Sequence, residues 1–236
     1  MSDERVSSGA GCAACPMRKA GERRCMREDG AAPPNCPTEG QKDLVRESLG
    51  VYRSEEYGRM AGTAALVERA GYGQGEDGTG LRPLRPRIVE LVDFARRMGY
   101  KKLSLLFCMG LRKEAAIVDE ILKTNGFEVI SAVCKVGGLP KAELGLKAED
   151  QLNPRGAESM CNPVMQAEIA NRAGAEFNVL LGLCIGHDTL AIAHLKAPVT
   201  VLAVKDRLMA NNPLGAVYMY DSYCQYLKKP LFPERA

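Results

Sequence analysis

The sequence predicts an α/β fold, a doubly wound and mostly parallel sheet with helices on both faces, preceded by a Cys-rich N-terminal metal-binding extension and N-terminal helices. Three observations predict it. From Arg87 onward the apolar residues switch repeatedly between helical and strand-like spacing with short turns between, the pattern of βαβ units with right-handed crossovers. The first 40 residues are instead rich in Cys, Pro, Gly and charge and hold no apolar run of helix or strand length, so they cannot build a core unaided. Finally, the runs LSLLF, EVISAV and NVLLGL stop at Cys108, Cys134 and Cys184, which in a parallel sheet brings three thiols to the carboxyl edge where open α/β sheets bind ligands.

Taken in order, the apolar positions between Gln41 and Ala70, among them Leu44, Val45, Leu49, Leu66 and Val67, suggest one or two amphipathic helices broken near Gly50. The run GYGQGEDGTG at 71–80 reads as a loop and separates an N-terminal module, residues 1–80, from a Rossmann-like α/β domain, residues 81–236. In that domain the spacing predicts a helix over 87–98, a strand over 102–107, a helix over 112–124 and a strand over 128–133. A long loop, 135–160, leads to a helix over 163–173 for which Asn162 is a natural N-cap and Pro163 a natural first residue. A strand over 177–183, a helix over 188–195 capped by Asp188, and a strand over 199–204 follow. The tail from Pro213 to Lys228 reads as a final helix carrying four of the eight tyrosines, with Cys224 as a packing residue.

Bulk properties narrow the function classes. A formal net charge of +3 with no dense Lys/Arg block gives little support for nucleic acid as a partner. The N-terminus MSDERVSSGAGC has no apolar run of a secretory signal, and no stretch approaches the ~20 apolar residues of a membrane span. A reducing cytoplasm is the expected setting, where nine cysteines are metal ligands or reactive thiols rather than disulfides, with at least one standing apart.

Cys12, Cys15, Cys25 and Cys36 form the first group: a CxxC turn lets two thiolates grip one metal, and the later pair closes the site from neighbouring loops. Such a clip offsets the loop entropy of a segment too polar to fold otherwise. Tetrahedral sulfur ligation suits both zinc and iron-sulfur clusters. Zinc ribbons more often use two CxxC pairs, while the Cys36-Pro37 ending also occurs in bacterial ferredoxin motifs, whose other spacings differ from these.

The second group is Cys108, Cys134 and Cys184 at the strand ends, with Cys161 just before a helix N-terminus, so four soft ligands are expected to converge. Glycines follow each strand-end cysteine, letting backbone N–H groups approach an anionic ligand or cluster. Singly, such a cysteine would be a small buried hydrophobe. His187, in CxxH after a strand, is a candidate ligand, hydrogen bonder or acid/base, and Lys205 and Arg207 follow the last strand and so reach the same edge, as Lys135 and Arg112 do. No GxGxxG after a strand, no P-loop and no GxSxG is present, against the usual nucleotide and serine-hydrolase sites.

The segments CAAC…NCP, FCMGLRKEA, VCKVGG, MCNPVMQAEIAN, LGLCIGHDTL and KAPVTVLAVKDR together resemble the bacterial and archaeal proteins grouped as domain of unknown function number 1847, described as predicted metal-binding proteins. The resemblance covers nearly the whole chain and implies metal binding by the matching cysteines; it implies no reaction. The expectation is an iron-sulfur redox protein with one or two clusters, 4Fe-4S in type, held by Cys12/Cys15/Cys25/Cys36 and by Cys108/Cys134/Cys161/Cys184, with His187 and Lys205 as catalytic candidates. It would transfer electrons to a redox partner or reduce a small anionic substrate. The alternatives are a zinc protein with a structural N-terminal site and a metal-binding or thiol-reactive edge, and a thiol enzyme with Cys184 as nucleophile and His187 as base.

Overall fold

Turns rather than a core organise the polar start of the chain, as its composition demands. The computed structural model describes residues 11–17, 19–75, 78, 80–153 and 158–232, and the chain divides into two compact units, Met1–Leu66 and Val67–Ala236. In the first, short 3-10 turns at Cys12–Ala14 and Ala20–Glu22 and an isolated bridge between Arg23 and Ala31 precede α1 (Pro37–Gly40), α2 (Lys42–Tyr52) and α3 (Glu55–Ala70). The break between α2 and α3 falls at Arg53 and Ser54, not near Gly50. The Ser54 hydroxyl accepts the Tyr57 N–H at 3.3 Å, and its carbonyl accepts the Gly58 N–H at 2.9 Å. This start signal outweighs a glycine inside a helix, which costs only about 1 kcal/mol.

The two compact units part within α3. Within the glycine-rich run 71–80, Tyr72–Gln74 form β1, which pairs antiparallel with β2 (Leu81–Pro83), Tyr72 facing Pro83. Gly80 enters β2 with φ of 68°, a conformation that favours glycine.

The second unit then runs α4 (Arg87–Met98), β3 (Lys102–Phe107), α5 (Arg112–Thr124), β4 (Glu128–Val133), α6 (Pro163–Arg172), β5 (Phe177–Leu183), α7 (His187–His194), β6 (Val199–Val204) and α8 (Leu214–Tyr218). The last four strands form one parallel sheet in the order β4-β3-β5-β6. Leu103, Leu105, Phe177, Val179 and Leu181 face α4 and α5, where they pack with Leu91, Ala95, Ala115 and Leu122. Leu106, Ala132, Leu180 and Leu183 face α6 and α7, packing with Ala170 and Ala191. The sheet is therefore flanked by helices on both sides. Buried Ser104 donates to Asn178 Oδ1 at 2.6 Å, and Asn178 Nδ2 donates to the Ala197 carbonyl at 2.9 Å, so the interior polar groups on β3 and β5 are paired. Asn162 caps α6 as its sequence position predicts, accepting the Met165 N–H.

The strand order reverses between β3 and β5, because β4 lies to one side of β3 and the later strands to the other. At such a switch point the loops diverge and leave a crevice at the carboxyl ends. At this end β5 carries an irregularity: its pairing with β6 shifts between Leu180 and Leu181 and again between Leu181 and Leu183, and Gly182 in the second shift has φ of 64°. The bulge places Leu183 on the α6/α7 side, where strict alternation from Leu181 would return it to the α4/α5 side.

Two readings are corrected at the helix ends. Asp188 is not the cap of α7; Gly186 is, and Asp188 lies in the first turn with Oδ1 accepting the Thr189 N–H at 2.8 Å. The tail is not one helix: α8 stops at Tyr218, and only a 3-10 turn at Gln225–Lys228 follows. The intervening MYDSYC is rich in residues that favour local bonds over helix, as when the Ser222 hydroxyl returns to the Met219 carbonyl at 3.3 Å. Cys224 is buried there. Among the described residues no helix is long and apolar enough to cross a membrane.

Candidate functional site

In the first unit all four N-terminal cysteines line one cavity of about 110 Å³, together with Arg23, Asn35 and Thr38 among others. The CxxC pair is set by the first 3-10 turn, in which the Cys15 N–H reaches the Cys12 carbonyl at 3.2 Å. Cys25 sits in the turn after Arg23, whose neighbour Arg24 bonds back to the Ala31 carbonyl at 2.8 Å, so the loop between them is closed on itself. Cys36 is the N-cap of α1. Burial pushes the Cys36 thiol up, but the Thr38 hydroxyl and the N–H groups of Thr38 and Glu39 together hold it below its ordinary value, which favours the thiolate a metal needs.

Among the described residues no three His, Cys, Asp or Glu side chains stand close enough to hold one metal ion. Sulfurs around one zinc lie within roughly 4 Å of each other, given Zn–S bonds of about 2.3 Å. Cys12, Cys15, Cys25 and Cys36 are the side chains that would hold a metal ion or cluster in this cavity, and Arg23 on the same wall would offset the negative charge of their thiolates.

At the carboxyl edge of the sheet, backbone bonds that extend the ladders fix three of the cysteines. The Cys108 N–H reaches the Leu181 carbonyl at 3.1 Å, the Cys134 N–H reaches Phe107 at 2.8 Å, and the Asn162 N–H reaches Cys134 at 2.7 Å. Cys134 and Cys161 stand with sulfurs 3.7 Å apart, and Cys108 packs into the same apolar cluster on the α6/α7 side. Burial first, then the neighbouring thiols Cys161 and Cys108, push Cys134 up to about 12, against the Met109 N–H that points at its sulfur from 3.3 Å.

Cys184 is placed differently. Its sulfur accepts a hydrogen bond from Arg207 Nη2 at 3.1 Å and is not among the residues of that apolar cluster. The Gly182 bulge is the reason. Without it, alternation would carry Cys184 to the side of Leu180; with it, the phase shifts by one residue.

The edge is cationic. Lys205 Nζ and the Cys108 sulfur flank the same small space beside Gly110, 3.5 and 3.9 Å from where a Cβ on that glycine would stand. Lys135 reaches the Ser159 carbonyl, and Lys135 and Lys141 share Glu158 at 3.8 and 2.9 Å. Glu158 thus answers two ammonium groups, while Asp206 stands between Lys205 and Arg207 and Asp188 beside His187, which leaves a small positive excess.

The family described as Protein of unknown function (DUF1847) matches residues 36–202, more than half of the chain. The chain belongs to this family. An uncharacterized protein of Methanocaldococcus jannaschii is 38% identical over 191 residues, covering 81% of this chain and 90% of that one. The span of DUF1847 holds Cys36, Cys108, Cys134, Cys161, Cys184 and His187, while Cys12, Cys15, Cys25, Lys205 and Arg207 lie outside it.

In this DUF1847 chain His187 opens α7 and is half-buried. Burial first, then the charges of Lys135, Arg207 and Lys141, hold its imidazole below the ordinary 6.5, with Asp188 opposing them. The folded protein therefore binds fewer protons here than the unfolded chain as pH falls through 6.5. Stability should decline on acidification from 6.5 down to the folded value, and His187→Gln should flatten that decline in urea titrations at stepped pH. A slope identical in the two proteins would mean that His187 titrates as if in water.

Sequence reasoning missed Gln166. Fully buried on α6, its amide donates to the Ala132 carbonyl at 2.7 Å and the Phe107 carbonyl at 3.3 Å, clamping the helix that follows Cys161 to the ends of β3 and β4. A polar residue three positions after a proline-started helix reads as surface; only the sheet beneath it gives it a role.

Proposed function

We propose that the chain is an iron-sulfur redox protein in which Cys12, Cys15, Cys25 and Cys36 ligate one 4Fe-4S cluster, and in which the cationic carboxyl edge receives a small anionic substrate. The observation that carries the reading is the single cavity lined by all four N-terminal cysteines. A cluster so held would supply single electrons. The chain's own part is to keep four thiolates facing one space, with Arg23 beside them, and to present Lys205 and Arg207 where an anion would arrive. His187, held neutral by its surroundings, is suited to accept a proton from solvent and relay it to a substrate reduced there.

Purification under anaerobic conditions tests the reading. The expected protein is brown, with iron and acid-labile sulfide in equal amounts, roughly four of each per chain. A colourless protein carrying zinc at the same cysteines would overturn it and make the N-terminal site structural.

A further inference from the structure

We propose that Cys134 and Cys161 are a dithiol–disulfide couple that exchanges with low-molecular-weight disulfides. This goes beyond the iron-sulfur reading and uses none of its cysteines. The sulfurs are already 3.7 Å apart, and the backbone holds them there from both sides. The loop leaving Cys134 folds back on itself through the Pro140–Ser159 bridge and the Met160 N–H to Leu139 carbonyl bond of 2.7 Å, and so delivers Cys161 beside the strand it left. Asn162 closes the return by bonding the Cys134 carbonyl, and Gln166 fixes α6 to the ends of β3 and β4.

Two thiols held this way have little entropy left to lose on joining. A disulfide needs its sulfurs about 2.05 Å apart, so the remaining approach is a side-chain rotation. The two members are also unequal in access: Cys134 is only 3% exposed, whereas Cys161 is partly open to solvent. Cys161 is therefore the sulfur that meets a reagent, and Cys134 the one that resolves.

The chemistry balances without a metal. The Cys161 thiolate attacks one sulfur of a disulfide RSSR, breaking that S–S bond, expelling RS⁻ and forming a mixed disulfide. Cys134, after loss of its proton, attacks the Cys161 sulfur and expels the second RS⁻. Two protein thiols are oxidised to one disulfide, RSSR is reduced to two RSH, and the two protons released by the protein end on the two thiolates.

The test uses the full chain, reduced anaerobically, then incubated with oxidised glutathione, quenched in acid, alkylated and digested with trypsin. Cys108, Cys134 and Cys161 fall in separate tryptic peptides, 103–112, 124–135 and 156–172. The expected product is a cross-link between 124–135 and 156–172 that dithiothreitol reverses. Cys134→Ser should abolish that cross-link and leave a glutathione adduct on 156–172, since the resolving thiol is gone. Cys161→Ser should abolish both. The inference is overturned if, in the wild-type protein, both peptides stay fully alkylated after incubation with oxidised glutathione, or if the cross-link joins 103–112 instead. Neither readout depends on iron, so loss of the cluster reading would leave this result standing.

Discussion

Replacing Cys12 and Cys15 together by serine is expected to strip the iron and sulfide from the protein and leave the sheet folded. The CxxC turn supplies two of the four thiols around the N-terminal cavity, and among the described residues no His, Cys, Asp or Glu besides these four cysteines lines it. Serine keeps the turn but is a poor ligand for iron, so the cluster loses half of its anchors. The segment itself should loosen, because short turns rather than an apolar core organise it and the proposed cluster would be its main cross-link. Among the described residues, the sheet's two core clusters are built from residues between Ile88 and Ala203. Far-UV circular dichroism and the main thermal transition should therefore change little while iron falls to background. Retention of half the iron would instead place a second cluster at Cys108, Cys134 and Cys161. Retention of all of it would remove the N-terminal site.

The sheet was legible because its strands are short, apolar and bounded by turns: β3, β4, β5 and β6 fall where the period of the sequence placed them. Strand order was not legible. Nothing in a run such as NVLLGL says that β5 pairs with β3 rather than β4; that choice is made by how α5 and α6 cover opposite faces. Cys108 and Cys134 could be placed at one edge because each directly follows a regular strand, and Cys161 because Asn162-Pro163 marks a helix start. For Cys184 the sequence held a signal that parity counting ignores. A glycine inside an apolar strand marks a bulge as readily as a small packing residue, and here a register shift precedes the thiol that accepts a hydrogen bond from Arg207. The tail shows the opposite error, since helical spacing of tyrosines suggested a helix that local side-chain bonds interrupt.

That same glycine carries the largest stability effect expected on the sheet. Gly182→Ala should destabilise the second unit by about 2–5 kcal/mol, from about 1–2 for an L-residue held at left-handed φ and about 1–3 for overpacking. Gly182 has φ of 64°, and a Cβ added there would stand 2.0 Å from Leu111 Cδ1 and 3.1 Å from its Cγ. Leu111 cannot simply swing aside: it is 6% exposed, packed in the α4/α5 core, and lies in the turn that links Cys108 to α5. For a unit of this size the loss corresponds to roughly 5–20 °C in Tm. Urea unfolding of Gly182→Ala, Leu111→Ala and the double variant separates the two costs. If the clash dominates, the double variant should be clearly more stable than the sum of the single losses, because removing the leucine side chain frees the space the new methyl needs. Strict additivity would assign the whole effect to the backbone, and an unchanged midpoint for Gly182→Ala would mean that β5 runs straight, in which case Cys184 would turn to the side of Cys108, Cys134 and Cys161.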